Sequence, residues 1–186
     1  MEAFIASTGL VALAEIGDKT QLLALALAAR YKKPVPILLG ILLATLVNHA
    51  LAGAAGAWLL TVTGPDVMRW ALALSFFAMG AWMLIPDKLG DIRASPGRWG
   101  VFTATFAAFF IVEIGDKTQI ATVALAARYS AIYAVVAGTT IGMMLANAPV
   151  VLMGGRIADR MPVRLIHRVG AAVFLALGVL TLISAR

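Results

Sequence analysis

Glu15-Ile16-Gly17-Asp18-Lys19-Thr20-Gln21 recurs without change as Glu113-Ile114-Gly115-Asp116-Lys117-Thr118-Gln119, each copy inside a long apolar run. Each Asp or Lys at the centre of a membrane helix opposes insertion by roughly 2.5 to 3.5 kcal/mol. The six charges of the two copies therefore cost on the order of 18 kcal/mol before pairing and water relieve them. Charges retained in such a place are functional by default.

The surrounding chain leaves little doubt about the solvent. Of its 186 residues, 62% are hydrophobic and 13% charged, with a mean hydropathy of +0.95, which marks an integral membrane protein. There are no cysteines, which removes disulfides, thiolate metal sites and cysteine nucleophiles. The net charge of +6 falls in short segments between apolar runs rather than in a basic stripe interleaved with aromatics. It reads as a topology signal, with the lipid bilayer as partner and no nucleic acid. The amino terminus lacks the positive region of a signal peptide, so the first apolar segment is expected to remain in the mature protein.

Six apolar runs are long enough to cross a hydrocarbon core, near 3–29, 35–60, 67–85, 100–127, 131–153 and 164–184. The expected fold is all-α, with six transmembrane helices in one membrane domain. An offset of 98 residues aligns the chain on itself: thirteen of seventeen positions are identical between 15–31 and 113–129. The same offset pairs Ala73 with Ala171, Phe76 with Phe174 and Gly80 with Gly178. A three-helix unit has been duplicated, giving repeat one at 1–86, a cytoplasmic linker at 87–98 and repeat two at 99–186.

Lys and Arg in alternate loops set the orientation. The first, third and fifth loops carry Arg30, Lys32, Lys33, Lys88, Arg93, Arg98, Arg156, Arg160, Arg164 and Arg168; the other side has Arg69, Arg128 and Arg186. The odd loops are expected in the cytoplasm and both termini outside, with the cell's inner (plasma) membrane as location. Repeats of three spans then enter from opposite sides. That inverted topology is typical of secondary transporters with a midplane site.

Glu15 lies about 18 Å along its span at 1.5 Å per residue, and Glu113 lies at a similar depth, so the two motifs meet near the midplane. Glu15, Asp18, Glu113 and Asp116 are the expected metal ligands. On a continuous helix Glu15 and Asp18 share a face, as do Glu113 and Asp116. Gly17 and Gly115 permit close helix approach or local unwinding. Lys19 and Lys117 are placed to pair with the glutamates or to point away from them.

Four carboxylates and two lysines sum to the charge that a divalent cation neutralises. Gln21, Gln119, Thr20, Thr118, Asn48 and Asn147 are supporting residues, as further oxygen ligands or as interhelical bonds. Such an environment suits Mn²⁺, Ca²⁺ or Mg²⁺. Burial disfavours the charged carboxylate, so a site without metal takes up protons and a filled site releases them. Glu15 and Glu113 are the expected proton-coupling residues. His49 has no counterpart in the second half, where Ala148 follows Asn147, and reads as a packing residue ahead of a proton relay. His167, among arginines, reads as solvated or headgroup-facing.

A channel could use the same acids as a selectivity ring, but without countertransport. An intramembrane aspartyl protease requires Gly-x-Gly-Asp, whereas Glu15-Ile16 precedes Gly17-Asp18 here. No enzyme activity or prosthetic group is expected. A homo-oligomer is compatible with the small residues of the spans, which locate no interface.

With both copies of Glu-x-Gly-Asp-Lys-Thr intact in the first and fourth of six spans, the chain resembles, over essentially its whole length, the GDT-type family of manganese/calcium cation antiporters. That family includes bacterial manganese exporters and a Golgi-resident eukaryotic branch. The resemblance implies export of Mn²⁺, or of Ca²⁺, from the cytoplasm with the motif acids as ligands.

Overall fold

A computed structural model describes residues 1–85, 100–154 and 162–183. The expected linker at 87–98, with Lys88, Arg93 and Arg98, lies outside the described residues, as do Arg156, Arg160 and Arg186. Among the described residues the chain forms eight helices: α1 (Glu2–Glu15), α2 (Lys19–Tyr31), α3 (Pro34–Val62), α4 (Pro65–Trp82), α5 (Gly100–Glu113), α6 (Lys117–Tyr129), α7 (Ile132–Met153) and α8 (Val163–Ile183).

The expected first and fourth spans, 3–29 and 100–127, are each two helices. Gly17 at φ +82° and Gly115 at φ +75° stand in the left-handed region, where an L side chain clashes with its own backbone. The helix therefore ends at the glutamate and restarts after the aspartate. Asp18 N-caps α2, where its carboxylate accepts a bond from the Thr20 N–H, and Asp116 occupies the same position before α6. The duplication reaches the backbone again at Lys32 and Ser130, the left-handed C-caps of α2 and α6. Pro34 and Pro65 sit in the first turns of α3 and α4, where a missing N–H costs nothing.

Three helices are long and apolar enough to cross a membrane by length and composition: α3, α7 and α8. The shorter α5 is apolar as well. Large apolar side chains such as Leu39, Leu46, Leu145 and Leu180 face outwards, while Ser7, Thr45, Asn48, Thr105, Thr122, Thr139 and Asn147 are buried. This inverts the usual soluble pattern. It suits a chain whose surroundings are as apolar as leucine, so that packing and interhelical polar groups hold the helices together.

The two halves interlock. α1 packs against α7 and α5 against α3, so each helix leading into a motif lies on the long helix of the other half. Glycines permit the approach: a Cβ on Gly138 would come within 2.6 Å of the Phe4 carbonyl oxygen, and one on Gly40 within 2.9 Å of the Phe102 carbonyl oxygen. These contacts are the same contact displaced by 98 residues. α4 and α8 pack on each other, with the Phe76 and Phe174 rings 6.4 Å apart. Here equivalent positions of the two halves meet directly.

Candidate metal site between the two motifs

Glu15 ends α1 and Glu113 ends α5, while Asp18 and Asp116 begin α2 and α6, so the two helix breaks bring all four carboxylates to the interior. Glu15, Asp18, Glu113 and Asp116 are at most 1% exposed. One carboxylate oxygen from each of Glu15, Glu113 and Asp116 lies within 4.8 Å of the others. The helical spacing expected within each motif does not hold, because the glycine intervenes. Each aspartate instead turns back as a cap, its N–H bonded to the glutamate carbonyl at 3.0 Å for Asp18 and 3.1 Å for Asp116.

The lysines cross between the halves. Lys117 Nζ donates to Asp18 Oδ1, a pair 3% and 0% exposed. Lys19 Nζ lies 3.0 Å from Asp116 Oδ1, and its side chain is 26% exposed. Neither lysine's pairing is the i,i+4 contact with a glutamate that a continuous helix would give. Each aspartate thus has a cation from the opposite motif. The two glutamates are left to carry the net charge.

Hydroxyls and amides hold the acids in place. The Thr20 hydroxyl donates to Glu15 Oε2, and Thr118 Oγ1 donates to Glu113 Oε1 at 2.6 Å. The Gly17 N–H donates to Gln21 Oε1 at 2.8 Å and the Gly115 N–H to Gln119 Oε1 at 2.7 Å. Both glutamines bridge a helix break, and Gln21 Nε2 donates onward to the Ala146 carbonyl at 2.9 Å. Asn48 Nδ2 donates to the Phe110 carbonyl at 3.1 Å and Asn147 Nδ2 to the Met143 carbonyl at 3.0 Å.

Several buried oxygens have no hydrogen bond among the described residues: Glu15 Oε1, Glu113 Oε2, Asp116 Oδ2, Asn48 Oδ1 and Asn147 Oδ1. Leaving a buried acceptor unmet costs about 1 to 3 kcal/mol, more when it is charged. Three of these oxygens belong to the converging carboxylates of Glu15, Glu113 and Asp116, and a cation, or protons, would relieve them.

Two histidines depart from their sequence reading. His49, on α3, is 0% exposed, and neither ring nitrogen has a hydrogen-bond partner among the described residues; Nε2 lies 3.6 Å from Glu113 Oε1. It is therefore no satisfied packing residue. His167, expected in solvent, is part-buried, its Nε2 2.7 Å from the Ile16 carbonyl oxygen in the first break. The only sequence signal for His49 is its position next to Asn48; His167 gave none.

The two breaks are covered unequally. α8 packs against α1 and α4 against α6, while the equivalent pairs, α8 with α2 and α4 with α5, share no comparable packing among the described residues. A Cβ on Gly17 would overlap the Val163 side chain, whereas one on Gly115 would meet nothing within 4 Å among the described residues. Ile114, beside Gly115, is 57% exposed.

The sequence is similar to that of known proteins over most of its length. Residues 3–91 and 101–186 match the family model described as divalent cation/proton antiporter GDT1. The chain is 53% identical over 182 residues to a Vibrio cholerae serotype O1 protein described as "Putative manganese exporter", covering 97% of this chain and 90% of that one. It is 29% identical over 199 residues to a GDT1-like protein of Synechocystis, covering 94% and 93% of the two chains. A GDT1-like protein 3 of Oryza sativa subsp. indica is 27% identical over 204 residues, covering 96% of this chain and 72% of the rice protein. No solved structure matches.

Proposed function

Because the chain belongs to the GDT1 family of divalent cation/proton antiporters, we propose that it exports Mn²⁺ from the cytoplasm through one site shared by its two motifs. It is a multi-pass membrane transporter and not an enzyme. The observation that carries the reading is the convergence of Glu15, Glu113 and Asp116 within 4.8 Å, with Lys117 on Asp18 and Lys19 near Asp116. The two lysine–aspartate pairs are neutral. Glu15 and Glu113 then hold two negative charges, matched by one divalent cation or by two protons.

In this reading the cargo sits between Glu15, Glu113 and Asp116, with Asp18 as the fourth site acid held by Lys117. Thr20 and Thr118 orient the glutamates, Gln21 and Gln119 keep the breaks open, and Asn48 and Asn147 offer amide oxygens nearby. Interrupted helices at the midplane are the usual place for ion sites in transporters, since backbone can leave the helix only where a cavity or protein surrounds it. Oxygen donors of this kind accept Mn²⁺ and also Ca²⁺. The manganese assignment follows the description of the Vibrio cholerae relative.

The architecture belongs to the same proposal: six spans, with α1 and α2 forming the first and α5 and α6 the fourth, in two inverted three-helix repeats at 1–86 and 99–186. Both termini face outwards and the odd loops face the cytoplasm of a plasma membrane. Contacts that recur at an offset of 98 residues support it, as does the meeting of Phe76 with Phe174. On this topology α4 and α8 close the outer half over α6 and α1, and among the described residues no equivalent packing covers the inner half. Exchanging those contacts for α8 on α2 and α4 on α5 would open the site to the other side, which is alternating access.

Flux in proteoliposomes tests the function. Mn²⁺ movement should follow an imposed pH gradient and stop in Glu15→Gln and Glu113→Gln. Mn²⁺ flux indifferent to both the gradient and the glutamates would overturn the proposal.

A further inference from the structure

We infer that His49 supplies a nitrogen ligand to the transported ion and biases the site towards transition metals over Ca²⁺ and Mg²⁺. The inference rests on the reading that Glu15 and Glu113 hold the cargo. It starts from an anomaly: an imidazole with 0% exposure whose two ring nitrogens both lack a hydrogen-bond partner among the described residues. A buried ring of this kind must carry at least one N–H donor and, when neutral, one acceptor, and both stand unmet. Packing does not explain a polar ring here, because an apolar side chain of similar size would fill the space without that cost.

The ring stands beside the acids. Nε2 lies 3.6 Å from Glu113 Oε1, too far for a hydrogen bond. Metal–ligand bonds of about 2.0 to 2.6 Å at right angles place two ligand atoms about 2.8 to 3.7 Å apart. The observed separation falls in that range. His49 lies on α3 and Glu113 ends α5, which packs along α3, so one helix pair presents both atoms.

The chemistry of the donor then matters. Carboxylates and amides alone accept Mg²⁺, Ca²⁺ and Mn²⁺, while an imidazole nitrogen suits first-row transition metals and is a poor match for the hard cations. One nitrogen among oxygens gives Mn²⁺ a contact for which Ca²⁺ has little use. The second half carries Ala148 after Asn147, so the nitrogen comes from the first repeat alone. The duplication supplied charge twice and this discriminating atom once.

Pulsed electron paramagnetic resonance of Mn²⁺ bound to the purified full-length protein tests this without relying on transport. Modulation from a directly coordinated nitrogen should appear in wild type and shift on ¹⁵N-histidine labelling. It should persist in His167→Gln, which leaves His49 as the sole histidine, and vanish in His49→Gln. Mn²⁺ affinity of His49→Gln should fall by at least about tenfold, the scale on which even outer partners alter metal affinity, with Ca²⁺ affinity changed less than about twofold. Absence of nitrogen modulation in wild type and His167→Gln, or parallel losses for Mn²⁺ and Ca²⁺, would overturn the inference. The first outcome is decisive even if His49→Gln does not fold. Unchanged Mn²⁺ binding in Glu113→Gln would instead overturn the carboxylate site itself.

Discussion

Replacing Lys117 with methionine removes one half of a buried ion pair while preserving the length of the side chain. Lys117 is 3% exposed and its partner Asp18 is 0% exposed, so the aspartate loses this counter-charge where water cannot compensate. Breaking a buried pair from one side costs about 3 to 5 kcal/mol. Lys19→Met makes the formally equivalent change in the other motif; its side chain is 26% exposed but its partner Asp116 is 1% exposed, so the cost should lie between the about 1 kcal/mol of an exposed pair and that of the fully buried one. At about 2 to 4 °C per kcal/mol for a chain of this size, thermal unfolding followed by tryptophan fluorescence in detergent should place Lys117→Met about 6 to 20 °C below wild type. Lys19→Met should fall less far. The double variant Lys117→Met/Asp18→Asn removes both charges and should recover most of the loss, since the penalty lies in the uncompensated partner. A double variant no better than the single would refute the crossed pairing.

The glycines of the two breaks should respond differently to alanine. Both variants carry the roughly 1 to 2 kcal/mol cost of a left-handed residue, but Gly17→Ala also meets Val163 while Gly115→Ala meets nothing, so its melting temperature should fall further; the reverse order would contradict the unequal cover of the breaks. Thr118→Val keeps the shape and removes the donor to Glu113, so calorimetry should show Mn²⁺ binding weakened by about tenfold; full affinity would remove the hydroxyl from the site. Mn²⁺ at one hundred times its dissociation constant should stabilise wild type by about 2.7 kcal/mol, visible as a raised melting temperature and absent in Glu15→Gln. Protection of that variant equal to wild type would mean the metal binds elsewhere.

Much of this was legible in the residues because the motif was written twice. The repeated heptapeptide placed the acids, and Gly17 and Gly115 between Glu and Asp offered a reason for the helix to stop. The pairing of the lysines was not legible. Helical spacing left Lys19 either paired with Glu15 or pointing away from it, but a left-handed glycine separates the two, and the cation partner of each aspartate lies in the other motif, 99 residues away for Lys117 and Asp18. His49 was hidden for a related reason: a lone histidine on an apolar helix looks like packing until Glu113 is brought beside it. His167 looked solvated from its arginine neighbours, yet α8 begins against the first break and delivers the ring to the Ile16 carbonyl. Local composition describes a residue's neighbours in the chain, and these three contacts join residues far apart in it.

The central claim is that two motifs make one site, and the number of bound ions tests it most directly. Titrating the purified protein with Mn²⁺ under equilibrium dialysis should give one high-affinity ion per chain, and Glu15→Gln or Glu113→Gln should each abolish it entirely. Two ions per chain, or a single glutamate variant that keeps half of the binding, would show two independent sites and contradict the account.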